Sequence, residues 1–315
     1  MVTGHYVGLN VQSTIHCLFS RANGAPLAVS SVYKGEGTGM RMLLIKIYRF
    51  LFGRKRFHAL NRILFDCSLR GLGILNYESN ELSGEAAFLS RYLEGRSNCI
   101  VFDIGANIGK YSSKALEINP TAVVYAFEPH PKTFLRLIAN INRPNFRATN
   151  CAVGHEQGVL SLYDYADRDG SSHASLYKDV IETIHKAKSV EHKVEVIALN
   201  YFVKRNSIET IDLLKIDTEG NELNVLKGLS EYLRDGRVKA IHFEFNEMNV
   251  SSRTYFKDFW DLLPNYGFYR LLPDGLAPIS HYVPISCEIF AYQNIVAILK
   301  DETRGPNGVA QKGAM

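Results

Sequence analysis

Between residues 99 and 299 short apolar runs alternate with stretches of helical spacing. Residues 99–104, Cys-Ile-Val-Phe-Asp-Ile, form a nearly continuous apolar run, the pattern of a strand buried on both faces. Helical spacing follows from Lys110 to Ile118 and stops before Pro120. The same alternation predicts strands at 121–127, 146–153, 194–197, 211–216, 238–245, 266–272 and 290–299. It predicts helices at 131–141, 199–204, 223–233 and 254–263. Gly158 to Tyr163 reads as a short excursion pairing with the third strand. Strands that alternate with helices predict an α/β fold with a doubly wound, mostly parallel sheet and helices on both faces.

The flanks read differently. Residues 1–39 are rich in Gly, Ser, Thr and Ala without a sustained period, and are expected to be a disordered arm or a non-native extension. Residues 40–97 are expected to be a helical extension, 98–300 the catalytic domain and 301–315 a polar tail. From 40 to 65 apolar Leu43, Leu44, Ile47, Leu51 and Phe52 recur at helical spacing among Arg41, Lys46, Arg49, Arg54, Lys55 and Arg56. Such a helix either packs its apolar stripe on the main domain or lies on an anionic membrane through residues 40–58. Ser83 reads as the cap of a helix running to Leu93. The long polar stretch 164–192, with Ser171, Ser172 and His173, is a candidate substrate lid.

The bulk numbers narrow the class. At 315 residues, 46% hydrophobic and 22% charged, the chain has ordinary globular composition. A net charge of +4 does not mark a nucleic-acid binder. Five cysteines, none at metal-ligand spacing, argue against a disulfide framework or zinc site and fit a reducing compartment. No segment has the length of a spanning helix or the layout of a secretory signal, so the expected location is cytoplasmic. Oligomeric state is not legible.

The chemistry concentrates where the first strand ends. In Val101-Phe-Asp-Ile-Gly-Ala-Asn-Ile-Gly109, Gly105 permits a tight turn and Gly109 lets the following helix pack near the strand. Asn107 lies between them on the same turn. The spacing is G-x-x-x-G, not the G-x-G-x-x-G of a pyrophosphate cradle, and Asp103 precedes it. A carboxylate there suits a cationic amino acid with a sulfonium centre; taken alone it is also a common turn or capping residue. Some 25 residues on, Glu128 ends the second strand, where a carboxylate accepts from both ribose hydroxyls. Together Asp103, the glycines and Glu128 favour S-adenosylmethionine over a nicotinamide cofactor.

These segments resemble the FkbM family of methyltransferases. The resemblance spans about Met40 to Lys300. It rests on residues 102–109, Ala126-Phe-Glu-Pro129, Leu214-Lys-Ile-Asp-Thr-Glu-Gly-Asn-Glu222 and Glu288-Ile-Phe-Ala-Tyr-Gln-Asn294. It implies a seven-stranded class I fold, S-adenosylmethionine as donor, and O-methylation of a hydroxyl on a glycan, polyketide or related small molecule.

Methyl transfer from a sulfonium mainly requires positioning, and a hydroxyl acceptor also needs a base. Asp217 and Glu219, in the loop after the strand ending at Ile216, are the expected catalytic carboxylates, with Glu244 at the tip of the next strand a third. Glu222 in a first helical turn complements the helix dipole. Lys215 is either an ion-pair partner or catalytic, and His242 reads as a core residue. Asp217 and Glu244 are also a divalent-cation pair on paper, but no metal site is predicted. After the third strand, Asn150 and Ala152 are expected at the adenine. The competing readings are a nicotinamide-dependent oxidoreductase and a non-catalytic binding module.

Overall fold

The computed structural model describes residues 38–167, 170 and 174–301. The expectations for residues 1–37, for Ser171, Ser172 and His173, and for the tail beyond 301 lie outside the described residues.

The chain divides into two compact units after Arg62. In the first, helix α1 (Thr38–Phe52) and a 3₁₀ turn (Lys55–Phe57) precede helix α2 (His58–Gly71), which runs across the division. The single expected helix is broken at Gly53, whose amide donates to Arg49 O at 3.0 Å.

In the second unit, helix α3 (Glu85–Leu93) leads into the sheet. Gly84 at φ +80° is its N-cap residue, while Ser83 Oγ accepts from the Glu85 amide at 3.3 Å. Strand β1 (Ile100–Ile104), helix α4 (Lys110–Ile118), β2 (Val123–Phe127), α5 (Pro131–Asn140) and β3 (Phe146–Thr149) form the first half. The expected third strand splits: β4 (Ala152–Gly154) leaves the main sheet. It joins β5 (Gly158–Tyr165) and β6 (Ser189–Ala198) in a separate three-stranded sheet, in which β5 pairs antiparallel with β6.

Helix α6 (Leu199–Arg205) and strand β7 (Ile211–Ile216) return the chain to the main sheet. The helix expected at 223–233 is two short ones, α7 (Glu222–Lys227) and α8 (Ser230–Arg234). They meet at Gly228, where a Cβ would run into the Gly154 carbonyl. Strand β8 (Val238–Phe245), helices α9 (Met248–Ser251) and α10 (Phe256–Leu262), strands β9 (Tyr266–Leu272) and β10 (Gly275–Ile279), helix α11 (Pro284–Cys287) and strand β11 (Gln293–Leu299) complete it.

The main sheet is therefore eight-stranded, ordered β10-β9-β11-β8-β7-β1-β2-β3. It has one strand more than expected because β10 folds back on β9 as an antiparallel edge hairpin. Strands β8, β7, β1, β2 and β3 run parallel; β11 is antiparallel to both its neighbours, β8 and β9, so β9 runs in the same direction as β8. Alternate side chains of the central strands enter two buried clusters. Phe102, Ile104, Leu214, Ile216 and Phe243 pack on one side. Val101, Leu213, Ala240 and Val296 pack with Phe88, Leu89 and Tyr92 of α3 on the other. This period of two also puts Asp103, Lys215, His242 and Glu244 on the α3 side of the sheet. There Asp103 lies opposite Lys215, and Lys215 opposite His242.

Candidate active site

The parallel strands β1, β2 and β7 end at one edge, where two clefts share Gly105, Asn107 and Asp217. The turn after β1 is built by hydrogen bonds to its neighbours. The amides of Gly105 and Ala106 donate to Phe127 O at 2.9 and 3.0 Å, and the Asp217 amide donates to Ile104 O at 2.9 Å. Gly105 has φ +81°, and a Cβ there would overlap the Asp217 carbonyl, so β1 and β7 approach this closely only over glycine. Asn107 also has positive φ, +49°. Gly109, at φ +86°, faces the side-chain tips of Leu137 and Ile141, which a Cβ would displace.

The first cleft, about 560 Å³ including its open mouth, runs from this turn past Glu128 to Cys151, Ala152 and Val153. Glu128 Oε2 accepts from the Asn107 amide at 2.9 Å and Oε1 from the His130 amide at 2.8 Å. Burial nevertheless pushes its carboxyl up to about 7, against the pull of those two donors. Phe127, Leu162, Ala174 and Leu176 complete an apolar wall, so part of the expected lid segment does reach this cleft. Asn150 does not line it. Its side-chain amide donates to the carbonyls of Glu128 (2.8 Å) and Pro129 (3.1 Å) and holds the β2 tip from behind.

The loop after β7 forms the floor. Glu222 is its organiser, a larger role than the helix-dipole one expected. Its Oε1 accepts from Thr218 N (3.0 Å), Thr218 Oγ1 (3.0 Å) and Gly220 N (3.1 Å). Glu222 Oε2 is buried with no hydrogen bond, and burial pushes this carboxyl up to about 7. Glu219 sits at φ +53°, with its carbonyl accepting from Ser175 Oγ at 2.7 Å, and lines the first cleft.

The second cleft, about 880 Å³ including its open mouth, is lined by ionisable groups. Asp103 is buried, and its Oδ2 accepts from Ser112 Oγ at 2.5 Å. Desolvation raises it to about 6, although the Ser112 hydrogen bond and Lys215 oppose the shift. Lys215 Nζ is buried without a hydrogen bond. It stands 3.6 Å from Glu85, 3.8 Å from Glu244 and 3.9 Å from Asp217. Desolvation disfavours its charge, but those carboxylates outweigh it and hold the ammonium well above its usual range. The ion-pair alternative for Lys215 is thus the one observed, with three partners. Burial, then the Asp217 charge, push the Glu244 carboxyl well above the ordinary range.

His242 is fully buried, its Nε2 2.9 Å from Asn294 Oδ1 and its Nδ1 3.3 Å from Tyr111 Oη. Desolvation and Lys215 hold its pKa well below the usual value, so it is a neutral core residue, as expected.

Of the expected residues, Glu128, Ala152 and Glu219 meet at the first cleft and Asp103 and Glu244 at the second, with Gly105, Asn107 and Asp217 at their seam; Gly109 and Asn150 line neither. Sequence reasoning missed Glu85, Tyr111 and Tyr292 of the second cleft. The signal available for Glu85 was the lysine inside β7, which needs counter-charges from somewhere.

A parallel-sheet edge with a glycine turn, an acidic β2 tip and an apolar slot beyond it defines a nucleoside-binding α/β enzyme. The sequence family described as Methyltransferase FkbM domain matches residues 103–269. The chain is 32% identical over 174 residues to 31-O-demethyl-FK506 methyltransferase FkbM of Streptomyces tacrolimicus, covering 48% of this chain and 67% of that protein. It is 24% identical over 190 residues to 2-O-methyltransferase NoeI of Sinorhizobium fredii, covering 56% and 76%. It is 28% identical over 156 residues to hexuronic acid methyltransferase AglP of Haloferax volcanii, covering 49% and 60%. The chain belongs to the FkbM methyltransferase family. It is a methyltransferase, and the residues present fit S-adenosylmethionine as the methyl donor: a buried carboxylate for hydroxyls beside an apolar slot for a base.

Proposed function

We propose that this enzyme methylates a hydroxyl of a glycan, polyketide or related metabolite. The single observation that carries the reading is the pair of clefts joined at Gly105, Asn107 and Asp217, one with a carboxylate and an apolar slot, the other lined by carboxylates. Glu128 would hold the ribose, Ala152 with its neighbours the adenine, and Asp103, Gly105 and Asn107 the amino-acid end. When bound, S-adenosylmethionine supplies an already activated methyl group, which leaves positioning and proton removal to the protein.

Glu244 is the proton acceptor in this scheme. It lines the second cleft, and burial, then the Asp217 charge, raise its proton affinity, the direction that strengthens a carboxylate as a proton acceptor. Asp217, at the seam, orients the hydroxyl, and Lys215 balances the charge of both carboxylates. Glu219 shapes the donor side of the loop. A dinucleotide is disfavoured because the Asn107 amide, which a pyrophosphate would need, is already given to the Glu128 carboxylate. The relatives named for 2-O- and 31-O-demethyl substrates favour oxygen as the acceptor atom.

The test is transfer of labelled methyl to a panel of sugars, glycolipids and polyketide alcohols. Product on a hydroxyl, lost about 10²-fold or more in Glu244→Gln, is expected. Donor binding with no transfer to any hydroxyl would sink the acceptor class; an undiminished Glu244→Gln would sink the base.

Residues 40–58 make a peripheral contact with an anionic membrane in the same proposal. No Asp or Glu occurs from residue 38 to 65. In α1 Met40, Leu44, Phe50 and Leu51 are exposed beside Lys46 and Arg49. No helix among the described residues is long and apolar enough to cross a membrane. Sedimentation with vesicles containing phosphatidylserine should capture the protein at low salt and release it at high salt. Equal behaviour on neutral vesicles contradicts the proposal.

A further inference from the structure

The second cleft carries an excess of acid. Glu85, Asp103, Asp217 and Glu244 line it, against Lys110 and Lys215. By residue type the cleft holds four acids against two lysines; burial raises the proton affinity of Glu244, Asp103 and Glu85, so its negative charge grows as pH rises. Lys215 cannot serve an anionic ligand, because its Nζ is buried behind the three carboxylates that share it at 3.6 to 3.9 Å. Those three come from separate elements: Glu85 from α3, Asp217 from the loop after β7, Glu244 from β8.

Glu85 lies before residue 103, where the family match begins. Its position is set by packing. Phe88, Leu89, Tyr92 and Leu93 of α3 are buried on the sheet, and Gly84, at φ +80°, is pressed on the Leu272 backbone with no space for a Cβ. Burial raises the Glu85 carboxyl, and Lys215 pulls it back.

Resting on the methyl-transfer reading of this cleft, we infer that the acceptor is an uncharged polyhydroxylated molecule, a neutral sugar ring rather than a uronate or sugar phosphate, and that Glu85 is a specificity-determining residue. Carboxylates accept hydrogen bonds from neighbouring hydroxyls, and each such bond is of the stronger, charge-assisted kind. An acceptor bearing its own anion meets like charge in a partly desolvated cleft, which rejects it. Tyr111 and Tyr292 line the same cleft and supply aromatic surface beside the carboxylates.

Matched pairs of methyl glycosides and their uronates, in several sugar configurations, test this by saturation-transfer NMR on the protein loaded with S-adenosylhomocysteine. Donor binding is measured separately by calorimetry. At least one neutral glycoside should bind about tenfold or more tighter than its uronate. Glu85→Gln should narrow that preference by about tenfold, while Glu85→Asp, which keeps the charge, should keep it. Uronates that bind as well as their partners, no binding by any glycoside, or an unchanged preference in Glu85→Gln overturns the inference. If Glu85→Gln does not fold, the wild-type preference and Glu85→Asp still decide it. Failure of S-adenosylmethionine to bind removes the methyl-transfer reading itself; donor binding with an inverted preference removes only this inference.

Discussion

Glu128→Gln separates the two things this carboxylate does. In the free protein its oxygens accept from the Asn107 and His130 amides. Burial holds its pKa near 7 instead of 4.5, so keeping it charged above neutral pH costs roughly 3 kcal/mol of folding stability. Glutamine removes that cost. It keeps an acceptor for one amide and turns an NH₂ toward the other, a loss of about 1–3 kcal/mol. The two nearly cancel, so the melting temperature at about pH 8 should move by only a few degrees. Donor affinity has no such compensation. Hydrogen bonds from ribose hydroxyls to a charged carboxylate are worth about 1.5–3 kcal/mol each. A net loss of roughly 3 kcal/mol weakens Kd about a hundredfold. Calorimetric titration with S-adenosylmethionine, beside thermal melts of the free protein, reads both. A Kd within threefold of wild type, or a melting temperature lower by about 10 °C or more, would refute the reasoning.

Other perturbations follow from the same geometry. Gly105→Ala puts a methyl into the Asp217 carbonyl at positive φ; it should cost about 3 kcal/mol and lower the melting temperature by roughly 6–12 °C, and a wild-type melt would contradict the close β1–β7 approach. Asp217→Asn should cut turnover about 10²-fold while donor Kd stays within about fivefold; intact turnover would remove Asp217 from the reaction centre. Glu222→Gln keeps the oxygen that takes three donors and should be nearly neutral, whereas Glu222→Ala should lose about 2–4 kcal/mol in denaturant unfolding; equal losses would contradict the loop-organising role. Asp103, Glu128 and Glu222 have folded pKa values of about 6, 7 and 7, raised from 3.8, 4.5 and 4.5. The folded state therefore binds more protons, and their contribution is full below about pH 4 and lost as pH rises through 7. The free protein should melt at a lower temperature at about pH 8 than at about pH 5, and the double variant Glu128→Gln, Glu222→Gln should flatten that trend.

What was legible was local. A buried strand, a glycine turn and a helix follow one another along the chain, so spacing alone was enough to expect Asp103, Gly105 and Glu128 at one sheet edge, where the structure has them. Asp217 and Glu219 were found the same way, from a strand ending in an acidic loop. What depends on strand order was not legible. Glu85 meets Lys215 across 130 residues of sequence, and Tyr292 joins them only because β11 inserts between β8 and β9. Strand β10 was missed because Gly275 and Pro278 read as loop residues, and an edge strand tolerates both. The third strand ran on to Val153 in the sequence reading because apolar Cys151-Ala-Val153 follows directly on the strand. In the structure the main sheet releases the chain at Asn150, whose amide is drawn to the Glu128 and Pro129 carbonyls. Glu222 looked like a helix-dipole residue because nothing in its spacing reveals three donors folding back on one oxygen.

The central claim is that one strand-edge seam, Gly105 with Asp217, joins a cleft for the donor's nucleoside to a cleft that takes its amino-acid end and the acceptor. A crystal structure with S-adenosylhomocysteine bound tests it most directly. The account requires the ribose hydroxyls on Glu128, the adenine against Ala152 and the sulfur beside that seam, facing the Glu244 side. A nucleoside bound elsewhere, or a sulfur turned away from the carboxylate-lined cleft, would contradict it.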